Sequence, residues 1–135
     1  MTKDNFLTER QLEILALRKK GLSQANIARS LGTTRANVSA TEKTAKGNIR
    51  KAEKTVKLAR MLEAAVWIKI EKDTDLNEVP RRIYEKAGEE KIWVNLDTPS
   101  LMGLITDECK NKIKGRRIIS EIEVAVTKDG GIIAR

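Results

Sequence analysis

Apolar residues recur at helical spacing in the first half of the chain and alternate with polar ones in the second. Leu12, Leu15, Ala16 and Leu17 follow the period of a helix. Thr8 stands as its N-cap, Gln11 completes a capping box, and Leu7 and Leu12 are spaced for a hydrophobic staple. The basic run Arg18-Lys19-Lys20 and then Gly21 suit its C-terminus. A second helix starts at Ser23, carries Ile27, Ala28 and Leu31, and stops at Gly32. A third starts at Thr33 or Thr34 and includes Val38; it continues, or restarts at Asn48 after Gly47. Ile49, Ala52, Val56 and Ala59 then mark a basic amphipathic helix that ends near residue 65.

From Val66 the period changes. Val66-Trp67-Ile68-Lys69-Ile70 and Ile92-Trp93-Val94-Asn95-Leu96 alternate as half-buried strands do. Asp75 to Ala87 predicts a helix stopped by Gly88, with Pro80 in its first turn. Thr98-Pro99 predicts a helix start, running to about Lys112. Ile118 to Thr127 predicts a long strand, and Lys128-Asp129-Gly130-Gly131 a hairpin turn into Ile132-Ile133-Ala134. The fold class expected is α+β. An all-α domain over residues 1–65 precedes a small β-α-β-α-β-β domain over residues 66–135.

The predicted strands share one aliphatic face, which two helices can cover. The opposite face carries Trp67 and Trp93. It suits a dimer interface or a ligand surface, unless a loop or the N-terminal half covers it.

Charge sharpens this division. Residues 1–65 carry 14 Lys/Arg against 6 Asp/Glu, a net +8, whereas residues 66–135 carry 13 of each. The whole excess therefore lies in the helical half, as expected for a polyanion partner. Histidine is absent and cysteine occurs once, at Cys109. Triad hydrolysis, histidine-based zinc catalysis and multi-cysteine metal sites are thereby excluded, so the reading is not an enzyme, with no cofactor and no metal. Cys109 reads as a small buried apolar residue rather than a redox sensor. No apolar run is long enough to span a bilayer, and residues 1–15 mix charged with apolar residues instead of forming a secretory signal, which predicts a cytoplasmic location.

Residues 24–43 carry the most specific pattern. With Gln24 as first position, the fourth and eighth are Ile27 and Leu31, the fifth is the small Ala28, the ninth is Gly32 and the fifteenth is Val38. A helix-turn-helix needs these types at these offsets: apolar where the helices pack, small where they cross, glycine at the turn. The eighteenth position, ordinarily apolar, is Thr41. Helix 34–46 is then the one that reads the major groove of double-stranded DNA. Its outward positions are Thr34, Arg35, Ala36, Asn37, Ser39 and Ala40. Arg35 suits a bidentate contact to guanine and Asn37 one to adenine. Ser23, Gln24, Thr33, Ser39 and Lys43 suit phosphates, and Lys46 and Arg50 continue the basic stripe. One of Thr33 and Thr34 is also needed as a cap.

Leu7-Thr8-Glu9-Arg10-Gln11, with Gly21-Leu22-Ser23-Gln24, resembles the LuxR-type and sigma-factor region-four helix-turn-helix, where a scaffold helix leads into the motif. Over nearly its full length the chain resembles the archaeal Tfx DNA-binding proteins. That resemblance rests on the same opening and motif, on Asp75-Leu-Asn-Glu-Val-Pro-Arg-Arg-Ile-Tyr-Glu-Lys-Ala and on Ile122-Glu-Val-Ala-Val-Thr-Lys-Asp-Gly. It implies a transcriptional regulator with a basic N-terminal reading domain and a C-terminal regulatory or interaction domain.

A homodimer is expected, joined through helix 48–65 or the Trp-bearing face. Lys112-Ile-Lys-Gly-Arg-Arg117 offers cations to an anionic small-molecule effector, or serves as a charged loop that protects an edge strand. The alternative to a sequence reader is a helical protein-interaction module or a non-specific nucleic-acid binder.

Overall fold

A computed structural model describes residues 4–135, so the first three residues of the charged opening lie outside the described residues. The order is α1 (Glu9–Lys19), α2 (Gln24–Leu31), α3 (Arg35–Leu62), β1 (Val66–Ile70), α4 (Val79–Glu89), α5 (Thr98–Glu108), β2 (Ile113–Lys114), β3 (Arg117–Ile118), β4 (Ile122–Val126) and β5 (Ile132–Ala134). Single 3-10 turns at Leu76–Glu78 and Lys110–Lys112 precede α4 and follow α5. The protein is α+β, with its first part entirely helical. Two compact units divide between Val56 and Lys57, inside α3. No helix among the described residues is long and apolar enough to cross a membrane.

In the first unit, local chemistry sets the helix ends. Thr8 accepts from the Gln11 amide, and the Gln11 side chain accepts from the Thr8 amide at 2.9 Å, closing the capping box. Ser23 caps α2 through the Asn26 amide, and Gly32 closes it in the left-handed conformation, φ 66°. The core is Ile14, Ile27, Ala28 and Val38, with Leu17, Leu22 and Leu31 against it. The residues of α1 that are buried are therefore Gln11 and Ile14; of the expected Leu12, Leu15, Ala16 and Leu17, only Leu15 and Leu17 are even half-buried. The capping box turns Gln11 inward and carries Ile14 with it, while Leu12 and Ala16 are exposed.

Helix α3 does not end at residue 46 or restart after Gly47. It runs unbroken to Leu62. Glycine there lowers helix propensity by about 1 kcal/mol but removes no hydrogen bond, and Ala45, just before it, is buried and holds the helix down.

In the second unit, β1, β4 and β5 form an antiparallel sheet in the order β1-β4-β5, and β2 pairs with β3. Val66 faces Val126, Ile68 faces Val124 and Ile70 faces Ile122. This aliphatic face packs on Val79, Ile83, Leu101 and Ile105 of α4 and α5, as two covering helices should. The other face is covered at Trp67, Ala125 and Ile133 by Met61 of α3 and Ala64 just beyond its end. The Trp67 indole N–H donates to Glu123 at 2.7 Å.

Two predicted strands are corrected. Residues 92–96 are not a strand, so the order β-α-β-α-β-β does not hold. The alternation is real: Val94 is buried, Ile92 and Leu96 pack beside the core, and Trp93 is 88% exposed. Yet alternation reports which way side chains point, not whether the backbone is paired. The segment ties to the β4–β5 turn through the Asn95 amide and the Gly130 carbonyl, at 3.0 Å. The long strand 118–127 is also broken, with Ile118 in β3 and Ile122 opening β4. Between them Ile119 donates its amide to Lys112, 2.8 Å away, turning the chain back along β2. The helix predicted to stop at Gly88 ends at Glu89, and Lys91, φ 59°, makes the left-handed turn. The helix predicted to reach Lys112 ends at Glu108.

Candidate nucleic-acid interface

The first turn of α3 is set by Thr34, whose hydroxyl accepts from the Asn37 amide at 3.1 Å. Thr34 is thus the N-cap. The free N–H groups and dipole of that end favour anions. Thr34, Arg35, Ala36, Asn37 and Ser39 are exposed around it, and Thr33 is half-buried. Val38, fully buried, anchors the turn and leaves these neighbours outward. Among the described residues Arg35 forms no ion pair. The Asn37 carboxamide, by contrast, donates to Thr33 Oγ1 at 2.7 Å and accepts from Thr41 at 3.5 Å.

A second group lies roughly one to four turns further along α3. Gln24, Ser39, Lys43, Lys46 and Arg50 line an open groove together with Arg18 and Glu42. Five residues expected from sequence are brought together here. Ser23, at the start of α2, is spent on its cap, and Thr33 to Asn37 sit at the start of α3 instead.

Glu42 is the residue that sequence reading missed. It is 4% exposed, on the same side of α3 as Val38 and Ala45. Its carboxylate accepts from Arg18 Nε at 3.1 Å and Gln24 Nε2 at 2.8 Å, and pairs with Lys46 Nζ at 3.1 Å. One carboxylate thus ties α1, α2 and α3 together. The Gln24 hydrogen bond, with those from Arg18 and Lys46, outweighs burial and lowers its pKa to about 2. Arg18 also donates to the Leu22 carbonyl at 3.1 Å, bracing the turn between α1 and α2. The network accounts for Thr41: the core-facing place next to it is filled by Glu42, whose charge is satisfied from three sides. Gln24, expected to meet phosphate, is spent on this contact. A signal was present in the sequence, since Glu42 is the single acid among residues 14–52.

Cys109 is buried, and burial raises its thiol pKa, so little of it is thiolate. Among the described residues no three His, Cys, Asp or Glu side chains gather as a metal site.

Residues 52–133 match the family model described as DNA-binding protein, TFX, C-term. The DNA-binding protein Tfx of Methanothermobacter marburgensis is 41% identical over 133 residues, covering 98% of this chain and 96% of the relative. Tfx of Methanothermobacter thermautotrophicus matches at the same identity and coverage. A chain of Methanocaldococcus jannaschii, provisionally named a transcriptional regulatory protein, is 41% identical over 132 residues, with 98% and 96% covered. The match to this model over more than half of the chain, with relatives 41% identical over nearly its whole length, identifies the chain as a member of the Tfx family of DNA-binding proteins.

Proposed function

We propose that the protein is a transcriptional regulator that reads double-stranded DNA with the N-terminal turns of α3 in the major groove. The observation that carries this is Arg35, exposed in the first turn of a helix whose placement is held by Val38 and Glu42. A guanidinium on a rigid helix start suits the two acceptors of a guanine edge. Asn37 is second to it, because reading adenine requires giving up its bond to Thr33. Lys43, Lys46 and Arg50, with the hydroxyls of Thr33 and Ser39 and the backbone N–H groups at the start of α2, whose Ser23 and Gln24 side chains are engaged within the unit, contact phosphate and set register. The relatives' names support DNA as partner and regulation as role.

The reading takes the DNA-binding part as residues 1–65 and residues 66–135 as the regulatory or interaction part. It includes a homodimer. Of the two dimer surfaces expected, Met61 of the same chain already covers the sheet face at Trp67. The helix remains, with Val56 and Leu62 exposed. A two-fold dimer places inverted half-sites roughly 34 Å apart.

Selection of binding sites from a randomised duplex pool tests this. Enrichment of an inverted repeat supports a dimeric reader. Survivors with no common sequence overturn the regulator reading in favour of a non-specific binder.

A further inference from the structure

Within residues 66–135, five of the 13 Lys/Arg crowd into one short segment. Lys110, Lys112, Lys114, Arg116 and Arg117 fall within eight residues that contain no acid. The rest of residues 66–135 holds eight Lys/Arg against 13 Asp/Glu. A cationic segment therefore stands on an otherwise acidic unit, a segregation that solubility alone does not require.

The fold places Lys114, Arg116 and Arg117 on a tight hairpin, with Lys110 and Lys112 in the 3-10 turn that leads into it. Ile113 pairs with Ile118, and Lys114 pairs with Arg117. Gly115, φ 62°, takes the first central position of the two-residue turn, the place a tight hairpin gives to glycine. Ile118 is fully buried and roots the hairpin in the core. The Ile118 amide donates to Thr74 at 3.0 Å, and the Asp73 and Leu76 amides donate to Ile118 and Arg116, both at 2.7 Å. Lys114, Arg116 and Arg117 are exposed at the tip. Of the five cations only Arg116 has an acid partner among the described residues, Asp75 at 3.1 Å.

The Lys114–Arg117 pair is the telling feature. Like charges directly opposite across an antiparallel pair destabilise it. Protecting a sheet edge takes one lysine and does not call for two cations facing each other. A fixed polyanion beside the tip turns that cost into attraction. Spaced, exposed cations on a hairpin match a row of backbone phosphates rather than one small anion.

We propose that the β2–β3 hairpin is a second DNA-contacting element, which grips duplex phosphates without reading bases. This rests on the reading that α3 brings a duplex to the protein. The test is a salt titration of the full chain on its selected duplex and on a shuffled duplex of equal length. Lys114→Gln/Arg117→Gln is compared with Lys72→Gln/Lys128→Gln, which removes equal charge at two other exposed positions.

The hairpin variant should bind both duplexes more weakly, with unchanged preference between them. Its slope of log affinity against log salt should be shallower by about 1.8, and a fourfold rise in salt should cost it about tenfold less affinity than the wild type loses. The control should keep the wild-type slope. The hairpin variant's thermal midpoint without DNA should not fall, because the like-charge pair is gone; if it does, Lys114→Gln alone should still flatten the slope by about 0.9. An unchanged slope, or an equal change in the control, overturns the proposal. So does a variant that loses stabilisation by inorganic phosphate while keeping the DNA slope, which marks a small-anion site. A wild type with no preference between duplexes overturns the major-groove reading instead, and the slope still decides the hairpin.

Discussion

The Gln24 carboxamide donates to the Glu42 carboxylate at 2.8 Å, joining the first residue of α2 to the third turn of α3. Arg18 brings α1 to the same carboxylate. Helix α3 is therefore set against both α1 and α2 by apolar packing at Val38 and by a charged contact two turns in from its start. Glu42→Gln keeps the volume and removes the charge, which weakens the Arg18 and Lys46 contacts. It should cost about 1–3 kcal/mol of stability, seen as a lower denaturant midpoint. A midpoint equal to wild type would show that the network holds nothing in place.

The same carboxylate predicts a pH dependence. Its folded pKa, about 2, lies below the ordinary 4.5. The stability it supplies is thus complete above about pH 4.5 and is lost as pH falls toward 2. Asp97 and Asp129 are also lowered, by hydrogen bonds from Ser100 and Thr127, so acid weakens the wild type through several groups. The difference between wild type and Glu42→Gln isolates Glu42, and it should shrink steadily from pH 5 to pH 2. A constant difference would contradict the assignment.

Gly130→Ala should destabilise the second unit. Gly130 has φ +88°, and a Cβ there would stand 2.0 Å from the Trp93 carbonyl oxygen, which is backbone and cannot swing away. The cost should be roughly 2 kcal/mol or more. The exposed Trp93 indole and faster hydrogen exchange at the Asn95 amide, which is bonded to Gly130, both report it. Unchanged exchange would mean that the turn and the 92–96 segment do not support each other.

Lys43→Ala should lower affinity for every duplex alike and flatten the salt slope by about one. A loss confined to one sequence would move Lys43 from phosphate contact to base reading.

What the sequence disclosed follows the range of the interactions. The Thr8–Gln11 box, the Ser23 cap and the Gly32 turn depend on residues three or four apart, and the structure holds each where the local pattern placed it. The apolar offsets at Ile27, Ala28 and Val38 were equally legible. The failures lie where distant residues decide. Ile92 to Leu96 has the alternation of a strand, but whether it pairs depends on the β4–β5 turn some 35 residues on, which offers it the Gly130 carbonyl. Glu42 carries no local signal of burial in a stretch otherwise basic and polar. Its burial depends on Arg18, 24 positions earlier, and Gln24, 18 positions earlier. Arg18 looked like helix-end charge for the same reason. The tip of the β2–β3 hairpin looked like a charged loop, because the register that sets Lys114 against Arg117 is a property of the paired chain.

The most direct test of the account is a pair of selections from one randomised duplex pool, with wild type and with Arg35→Ala. The account predicts that the wild type enriches a defined site. Arg35→Ala should bind that site more weakly by about 1–3 kcal/mol and lose preference at a single guanine in each half-site, with the other positions retained. An identical consensus from both proteins would contradict it and remove Arg35, and with it the start of α3, from the reading of DNA.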